Sequence, residues 1–357
     1  MLETRGIIHF DLDAFFCSVE VLQRPQWQGQ PLVVGGSPEK RGVVASASYP
    51  ARKYGIHSAM PMAQAVQLCP QLIIVPPHFK RYRTYSRIVM GILETAAAAF
   101  QQVSVDEAYL DVTSQLARWE EIVEIGRGLQ TKIAQHVGLP ASLGLATNKL
   151  VAKIASAYGK PKGFTLVTPG TERAFLAPLA IGKIPGIGPR TAARLKALGI
   201  PTIRQLQTCS LEQLKPFGRW GALMIKWARG EDTRPVREER VRKSLSQERT
   251  FPKDVVAQEV LFKHLKKLSD NVATRLQQKE LLVRTVFIKV RYSDFTTLTR
   301  QKRLLRPTNS LETINRMARE LLVKVWDGQR PLRLLGVGGR DFYSEGDQLS
   351  FAFLNAK

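Results

Sequence analysis

Residues 233–243, TRPVREERVRK, limit what this chain can fold into. The stretch is charged, carries a proline and has few apolar side chains, so it reads as an exposed linker rather than a core element. A chain of 357 residues cut at that point cannot be built round one core, and its length points to two to four domains. Beyond the linker the pattern is strand, helix 255–279, strand 282–293, strand 296–306, helix 310–326, strand 331–342, the βαββαβ order of a ferredoxin-like unit. Before it, residues 171–232 read as short helices punctuated by glycine and proline.

The first 170 residues have a different texture. RGIIHFD (5–11) reads as a buried strand, and from Asp13 to Gln23 the apolar side chains fall at helical spacing until Pro25 and Gly29. LVVGG and RGVVASAS read as short strands, and Pro50 and Pro61 each open a helix. An alanine-rich helix is predicted over 84–100, a hairpin arm over 103–113, a helix over 117–136, a strand over 141–148 and a basic helix over 148–158. Helix and strand alternating round acidic positions predict an α/β sheet domain, and the chain as a whole an α+β multidomain fold.

Those acidic positions carry the chemistry. Asp11 and Asp13 flank Leu12 at the end of the first strand, and Asp106 and Glu107 stand together in the hairpin arm. Neighbours on a strand point to opposite faces, but at a strand end or tight turn they can converge. Hard divalent cations want such a cluster, with oxygen ligands at ~2.0–2.1 Å for magnesium. A two-metal site needs only a few carboxylates when substrate phosphates complete the shells. Taken singly each acid is more readily a cap or a solvated turn, and Asp13 reads as the N-cap of the helix after it.

Three further groups are cationic or glycine-rich. In SYPARKYG, Arg52 lies one helical turn from Tyr49, beside Lys53, with Lys149, Lys153 and Lys160 further on. Guanidinium and phenol are good donors to a triphosphate, although a solvated basic helix face would look the same. In IPGIGPRTAARLKALGI, Gly186 and Gly188 make a tight turn and Pro189 starts a helix, the pattern of a phosphate-binding helix–hairpin–helix, with a weaker copy in PFGRWG. From Arg240 to Arg306 there are 17 Lys+Arg against 6 Asp+Glu, and Arg284, Lys289, Arg291, Arg300, Lys302 and Arg303 punctuate strands, so one sheet face suited to a phosphate backbone is predicted.

Overall charge agrees: 53 Lys+Arg against 30 Asp+Glu give +23 and a pI near 10.2, a field that draws polyanions. Cys17, Cys69 and Cys209 are an odd, scattered set that argues against a disulfide framework or zinc site and for a reducing cytoplasm. No secretory h-region opens the sequence, and no apolar run approaches the ~20 residues of a membrane span. The residues themselves leave three readings open: a polymerase, a two-metal nuclease, and a DNA-binding module without catalysis. The last explains the charge but not the acids.

HFDLDAFFCSVE, RGVVASASYPARKYGIHSAMPM, VSVDEAYLDVT, LGLATNKLVAKIASAYGKPKG and IPGIGPRTAARL occur in the order seen in Y-family DNA polymerases, and the chain most resembles the bacterial DNA polymerase IV class over about residues 5–342. The resemblance implies a right hand: palm (1–13 and 76–168), small fingers (14–75), helix–hairpin–helix thumb (169–232), linker (233–243) and little finger (244–342). It implies a monomeric, low-fidelity, template-directed polymerase of damage tolerance, acting on primer–template DNA and dNTP with two magnesium ions and no proofreading exonuclease. By position, Asp11, Asp106 and Glu107 match the metal carboxylates, Leu12 offers a backbone carbonyl, and Phe16 matches the steric gate against ribose. Phe15 beside it is then a core residue. Ser46, Tyr49, Arg52 and Lys160 match the triphosphate contacts, and Gly186 and Gly188 the thumb hairpin. Cys17, Pro50 and His57 depart from the usual residues, and His57 puts a template contact there in doubt. In the tail 343–357, Gln348, Leu349, Phe351 and Phe353 loosely resemble a peptide that docks on a sliding clamp.

Overall fold

A computed structural model of the chain describes residues 4–237 and 242–344. The chain divides into two compact units, Met1–Ser37 with Gly42–Arg240, and Pro38–Arg41 with Val241–Lys357.

The first unit opens with β1 (Ile7–Leu12), α1 (Phe15–Gln23), β2 (Leu32–Gly35), β3 (Val44–Ala47), α2 (Tyr49–Arg52), α3 (Met62–Leu68), β4 (Ile73–Val75) and α4 (Phe79–Glu94). It continues with β5 (Ala99–Gln102), β6 (Glu107–Asp111), α5 (Ile122–Val137), β7 (Ala141–Ala146), α6 (Lys149–Tyr158) and β8 (Phe164–Leu166). Strand β1 is central in a five-stranded sheet of order β5-β6-β1-β7-β8, antiparallel to both its neighbours. Its alternation sets the layers. Ile8, Phe10 and Leu12 enter one core with α1, α4 and α5, whereas Ile7 enters a second core with α6 and the helices that follow. A three-stranded sheet, β3-β2-β4, shares this logic: Leu32 and Val34 join the first core, and Val33 joins a small core of its own with Val44, Ile56 and Met62.

The predicted helix over 84–100 is corrected. The helix ends at Glu94, and Ala99–Gln102 is a strand paired with β6, Phe100 opposite Leu110. Alanine favours helix locally, but pairing at the sheet edge decides Ala99 and Phe100.

Short helices follow: α7 (Glu172–Leu176), α8 (Pro189–Ala197), α9 (Ile203–Thr208) and α10 (Arg219–Ala228). Gly186 turns before α8 at φ +91, a conformation that favours glycine, and a Cβ there would stand 3.1 Å from the Trp220 ring. Gly188 has an ordinary φ and caps α8, whose first residue is Pro189.

The second unit is β9 (Ser244–Val255), α11 (Gln258–Gln277), β10 (Leu281–Tyr292), β11 (Thr297–Thr308), α12 (Leu311–Val325) and β12 (Leu332–Ser344), the βαββαβ order expected. Its sheet runs β11-β10-β12-β9, all antiparallel, and α11 and α12 pack on the face that carries Val286, Ile288 and Val290. Among the described residues no helix is long and apolar enough to cross a membrane. Gln348, Leu349, Phe351 and Phe353 lie outside the described residues.

Candidate active site

Asp11 on β1 is the register partner of Glu107, the first residue of β6, so both project from one face of the sheet. Asp106 stands just before β6 in the turn from β5, and its carbonyl accepts the Leu12 N–H at 2.9 Å. Strand end and turn thus bring Asp11, Leu12, Asp106 and Glu107 side by side, although almost a hundred residues separate β1 from the hairpin.

Helix α6 covers that face. It can lie close because β7 carries Gly144, where a Cβ would stand 2.0 Å from the Ala152 carbonyl. The helix delivers Lys153, whose Nζ donates to Glu107 Oε2 at 2.6 Å, and Ser156, whose Oγ meets Nδ1 of buried His9 at 2.7 Å. Lys160, just past α6, pairs with Asp11 Oδ1, and Ser104 Oγ donates to Asp106 Oδ1. Each carboxylate is turned to its own partner, so among the described residues no three acidic, histidine or cysteine side chains form a ready metal cage.

The electrostatics are strained on one side only. Burial pushes Asp11 up to about 6 against the pull of Lys160, and Asp106 and Glu107 push it the same way. Burial works to raise Glu107 too, but the nearby His9 ring and the hydrogen bond from Lys153 hold it at about 2. His9 is lowered by burial to about 4 and stays neutral at pH 7, with Nε2 unpartnered 3.7 Å from Glu107 Oε1. A crowded group of oxygen donors, one of them reluctant to ionise, is the donor set a hard divalent cation relieves.

The triphosphate candidates divide. Arg52 stacks over the Tyr49 ring at 4.6 Å and its Nε donates to the Ala47 carbonyl at 3.0 Å, while Ser46 is buried on β3. Lys160 joins the carboxylates instead, and Lys149 lies over the Tyr109 ring.

Asp13 does not cap α1. Ala14 is the cap residue, in the left-handed region, with no side-chain bond. Asp13 is 1% exposed and accepts from Tyr49 Oη at 2.9 Å, Ser142 Oγ at 2.9 Å and the Lys162 N–H at 2.7 Å. It therefore ties Tyr49, and the loop that carries Lys160, to the strand that carries Asp11. No local pattern marks it, because its partners lie 36, 129 and 149 residues away.

Phe16 is half-buried on α1 and stacks on Tyr82 of α4, with ring centroids 4.2 Å apart, while Phe15 next to it is in the core. Glu20, buried on the same helix, is a residue that sequence reasoning misses. A carboxylate one turn after Phe16, within the apolar run FFCSVEVLQ, is the signal that could have found it.

In the second unit the single basic face is corrected. The register pairs Arg300 with Ile288 and Lys302 with Val286, which puts both on the helix-covered face, and Lys302 accordingly bonds Glu320 of α12 at 2.7 Å. The open face carries Lys289 and Arg291, with Arg303 opposite Thr285 and Arg340 bonded to Gln301. Arg284 sits at a register shift, its Nε donating to the Leu304 carbonyl. Lys289 is paired with Glu248 at 2.9 Å.

Known proteins match this chain along its length. The family model described as "impB/mucB/samB family" matches residues 10–157, its C-terminal domain model 242–351, and a helix–hairpin–helix motif of the same family 169–200. DNA polymerase IV of Halorhodospira halophila is 44% identical over 93% of this chain and 94% of its own. DNA polymerase IV of Bacteroides fragilis is 39% identical over 99% of each. Among solved structures, a Y-family DNA polymerase chimera of Dbh and Dpo4 superposes with a TM-score of 0.85 at 30% identity over 95% of this chain and 99% of that one. An insertion ternary complex of Dbh DNA polymerase gives 0.68 at 30% identity, over 95% of this chain and 99% of that one.

Proposed function

The chain belongs to the DNA polymerase IV group of the Y-family DNA polymerases and is a DNA-directed DNA polymerase of translesion synthesis, and on that premise we propose that Asp11, Asp106 and Glu107 are its catalytic carboxylates. The observation that carries the proposal is the β1–β6 register, which sets Asp11 against Glu107 with Asp106 next to it.

Asp11, Asp106, Glu107 and the Leu12 carbonyl would hold two magnesium ions. When bound, these supply Lewis acidity toward the primer 3′-hydroxyl and charge neutralisation at the triphosphate. The hydroxyl oxygen forms a bond to the α-phosphorus of a dNTP, the bond to the β-phosphate breaks, and the proton of the hydroxyl is lost as pyrophosphate leaves. Tyr49, Arg52 and Lys160 orient the β and γ phosphates, with Ser46 beside them, and Asp13 holds Tyr49 and the Lys160 loop in place. Lys160 exchanges Asp11 for phosphate as the substrate arrives. Phe16 packs under the sugar and excludes the ribose 2′-hydroxyl.

Primer–template DNA and dNTP are the ligands of this reading, in keeping with the ternary complexes among the structural relatives. The helix–hairpin–helix at Gly186 and Gly188 and the open face of the second sheet hold the phosphate backbone without reading bases. Fidelity then rests on pairing, with no proofreading in the chain. We place the protein in the cytoplasm as a monomer. The tail GDQLSFAF is proposed as a sliding-clamp peptide; deletion of residues 346–357 should remove clamp stimulation and leave clamp-free extension unchanged.

A labelled primer–template with dNTPs and magnesium tests the reaction. Template-directed extension is the expected result. Cleavage of the strands, or binding alone, would overturn the assignment.

A further inference from the structure

Glu20 is 2% exposed, and the mechanism above gives its carboxylate no task. It lies on α1 four residues after Phe16, one turn along the same face. Three side chains from the start of α4 reach it. His78 Nδ1 meets Oε1 at 2.9 Å, Tyr82 Oη donates to Oε1 at 2.7 Å, and Arg81 donates to Oε2 at 2.9 Å.

Tyr82 is the ring on which Phe16 lies, 4.2 Å between centroids and 13° from parallel. Phe79, 55% exposed, stands edge-on to both rings at 6.2 Å, and Phe15 meets Tyr82 at 6.3 Å. Parallel rings slide over one another at little cost, since dispersion hardly distinguishes small offsets. A hydroxyl bonded to a buried, triply held carboxylate does not slide. The bond from Tyr82 to Glu20 therefore turns a soft contact into a fixed floor for Phe16.

We infer that Glu20 is a positioning residue for sugar selection, fixing the gate ring through Tyr82 and joining α1 to the first turn of α4. It touches neither substrate nor metal. A gate works only if its ring cannot yield, because a displacement of a fraction of an ångström would admit one extra oxygen. The inference rests on the reading of Phe16 as the gate.

The test measures kcat/KM for matched dNTP and rNTP pairs in full-length protein, with thermal melting on the same preparations. Phe16→Ala is the reference and should lower the dNTP-over-rNTP ratio by about tenfold or more. Glu20→Gln and Tyr82→Phe keep volume and ring while weakening the anchor, and each should lower the ratio by roughly three- to tenfold, mostly through faster use of rNTP. In the Phe16→Ala background, Glu20→Gln should add nothing, because its effect passes through that ring. If Phe16→Ala leaves the ratio unchanged, the gate reading itself fails. If Phe16→Ala changes the ratio while Glu20→Gln and Tyr82→Phe do not, the gate stands and the role of Glu20 is overturned. A purely structural Glu20 would lower the melting temperature and slow both sugars alike.

Discussion

The five-stranded sheet of the palm and the four-stranded sheet of the little finger both carry charge on their strands, and they handle it in opposite ways. In the palm the charges are few, largely withdrawn from water and individually answered: Asp11 by Lys160, Glu107 by Lys153, Asp13 by Tyr49, Ser142 and Lys162. In the little finger they are many and mostly basic, and while Lys289 and Lys302 are answered by Glu248 and Glu320, Arg291 and Arg303 have no acidic partner among the described residues. The first arrangement suits chemistry at one point, where a displaced oxygen matters. The second suits a smooth polyanion, where only the summed field matters. Substitutions should therefore act by identity in the palm and by count in the little finger.

Glu107→Ala gives the largest effect expected. It removes a candidate metal ligand, and loss of several kcal/mol of transition-state stabilisation slows single-turnover extension by roughly 10³-fold or more. Rapid-quench measurement at saturating DNA and dNTP checks it. A loss below tenfold would move the chemistry elsewhere.

Asp232→Ala tests the same one-to-one pairing where no catalysis is involved. Burial works to raise this carboxyl, but its bonds from Arg234 and the Leu150 N–H hold it below its ordinary value of 3.8. Arg234 is half exposed, so the ion-pair part is screened. The loss is then about 2 kcal/mol at pH 7, set by the buried hydrogen bonds. Because the folded value is depressed, this stability is full above the unfolded value and disappears as pH falls through the folded one. Urea unfolding of both proteins should show a gap at pH 7 that closes in acid below the ordinary carboxylate range. A gap independent of pH would mean lost packing instead.

Charge counting gives the smaller effects. Arg291→Ala and Arg303→Ala should each reduce the slope of log affinity against log salt by ~0.9 for every phosphate the arginine neutralises, and the two should add. Lys302→Ala, on the helix-covered face and bonded to Glu320, should leave the slope where it is. Fluorescence anisotropy on primer–template across a salt series measures all three. A slope that falls equally for Lys302→Ala would show that total charge matters and the face does not.

Much of this was legible in the sequence, and the failures share a cause. The strand that carries Asp11, the hairpin arm that carries Glu107 and the βαββαβ order of the second unit were written in local periodicity. The alanines at 96–99 misled because alanine has a local preference for helix that pairing at the sheet edge overrides at Ala99 and Phe100. Asp13 looked like a cap because an aspartate ahead of a helical run is a favoured cap residue, but Ala14 fills that place in the left-handed region, and the real partners of Asp13 come from three other segments. The split of Arg300 and Lys302 from Lys289 and Arg291 depends on inter-strand register, which a list of basic residues does not contain. Glu20 and Tyr82 are 62 residues apart, so the floor under Phe16 had no local signature.

The division of labour between the two sheets is tested most directly by one paired measurement. Duplex affinity and single-turnover extension at saturating DNA are determined for Asp106→Ala and for the combined Lys289, Arg291, Arg303 and Arg340 to alanine variant. The account predicts a crossed result: Asp106→Ala binds like the unaltered protein and does not extend, while the combined variant binds weakly at moderate salt yet extends at the unaltered rate once saturated. If each variant loses both functions in proportion, the carboxylates and the basic face are not separate devices, and the account is wrong.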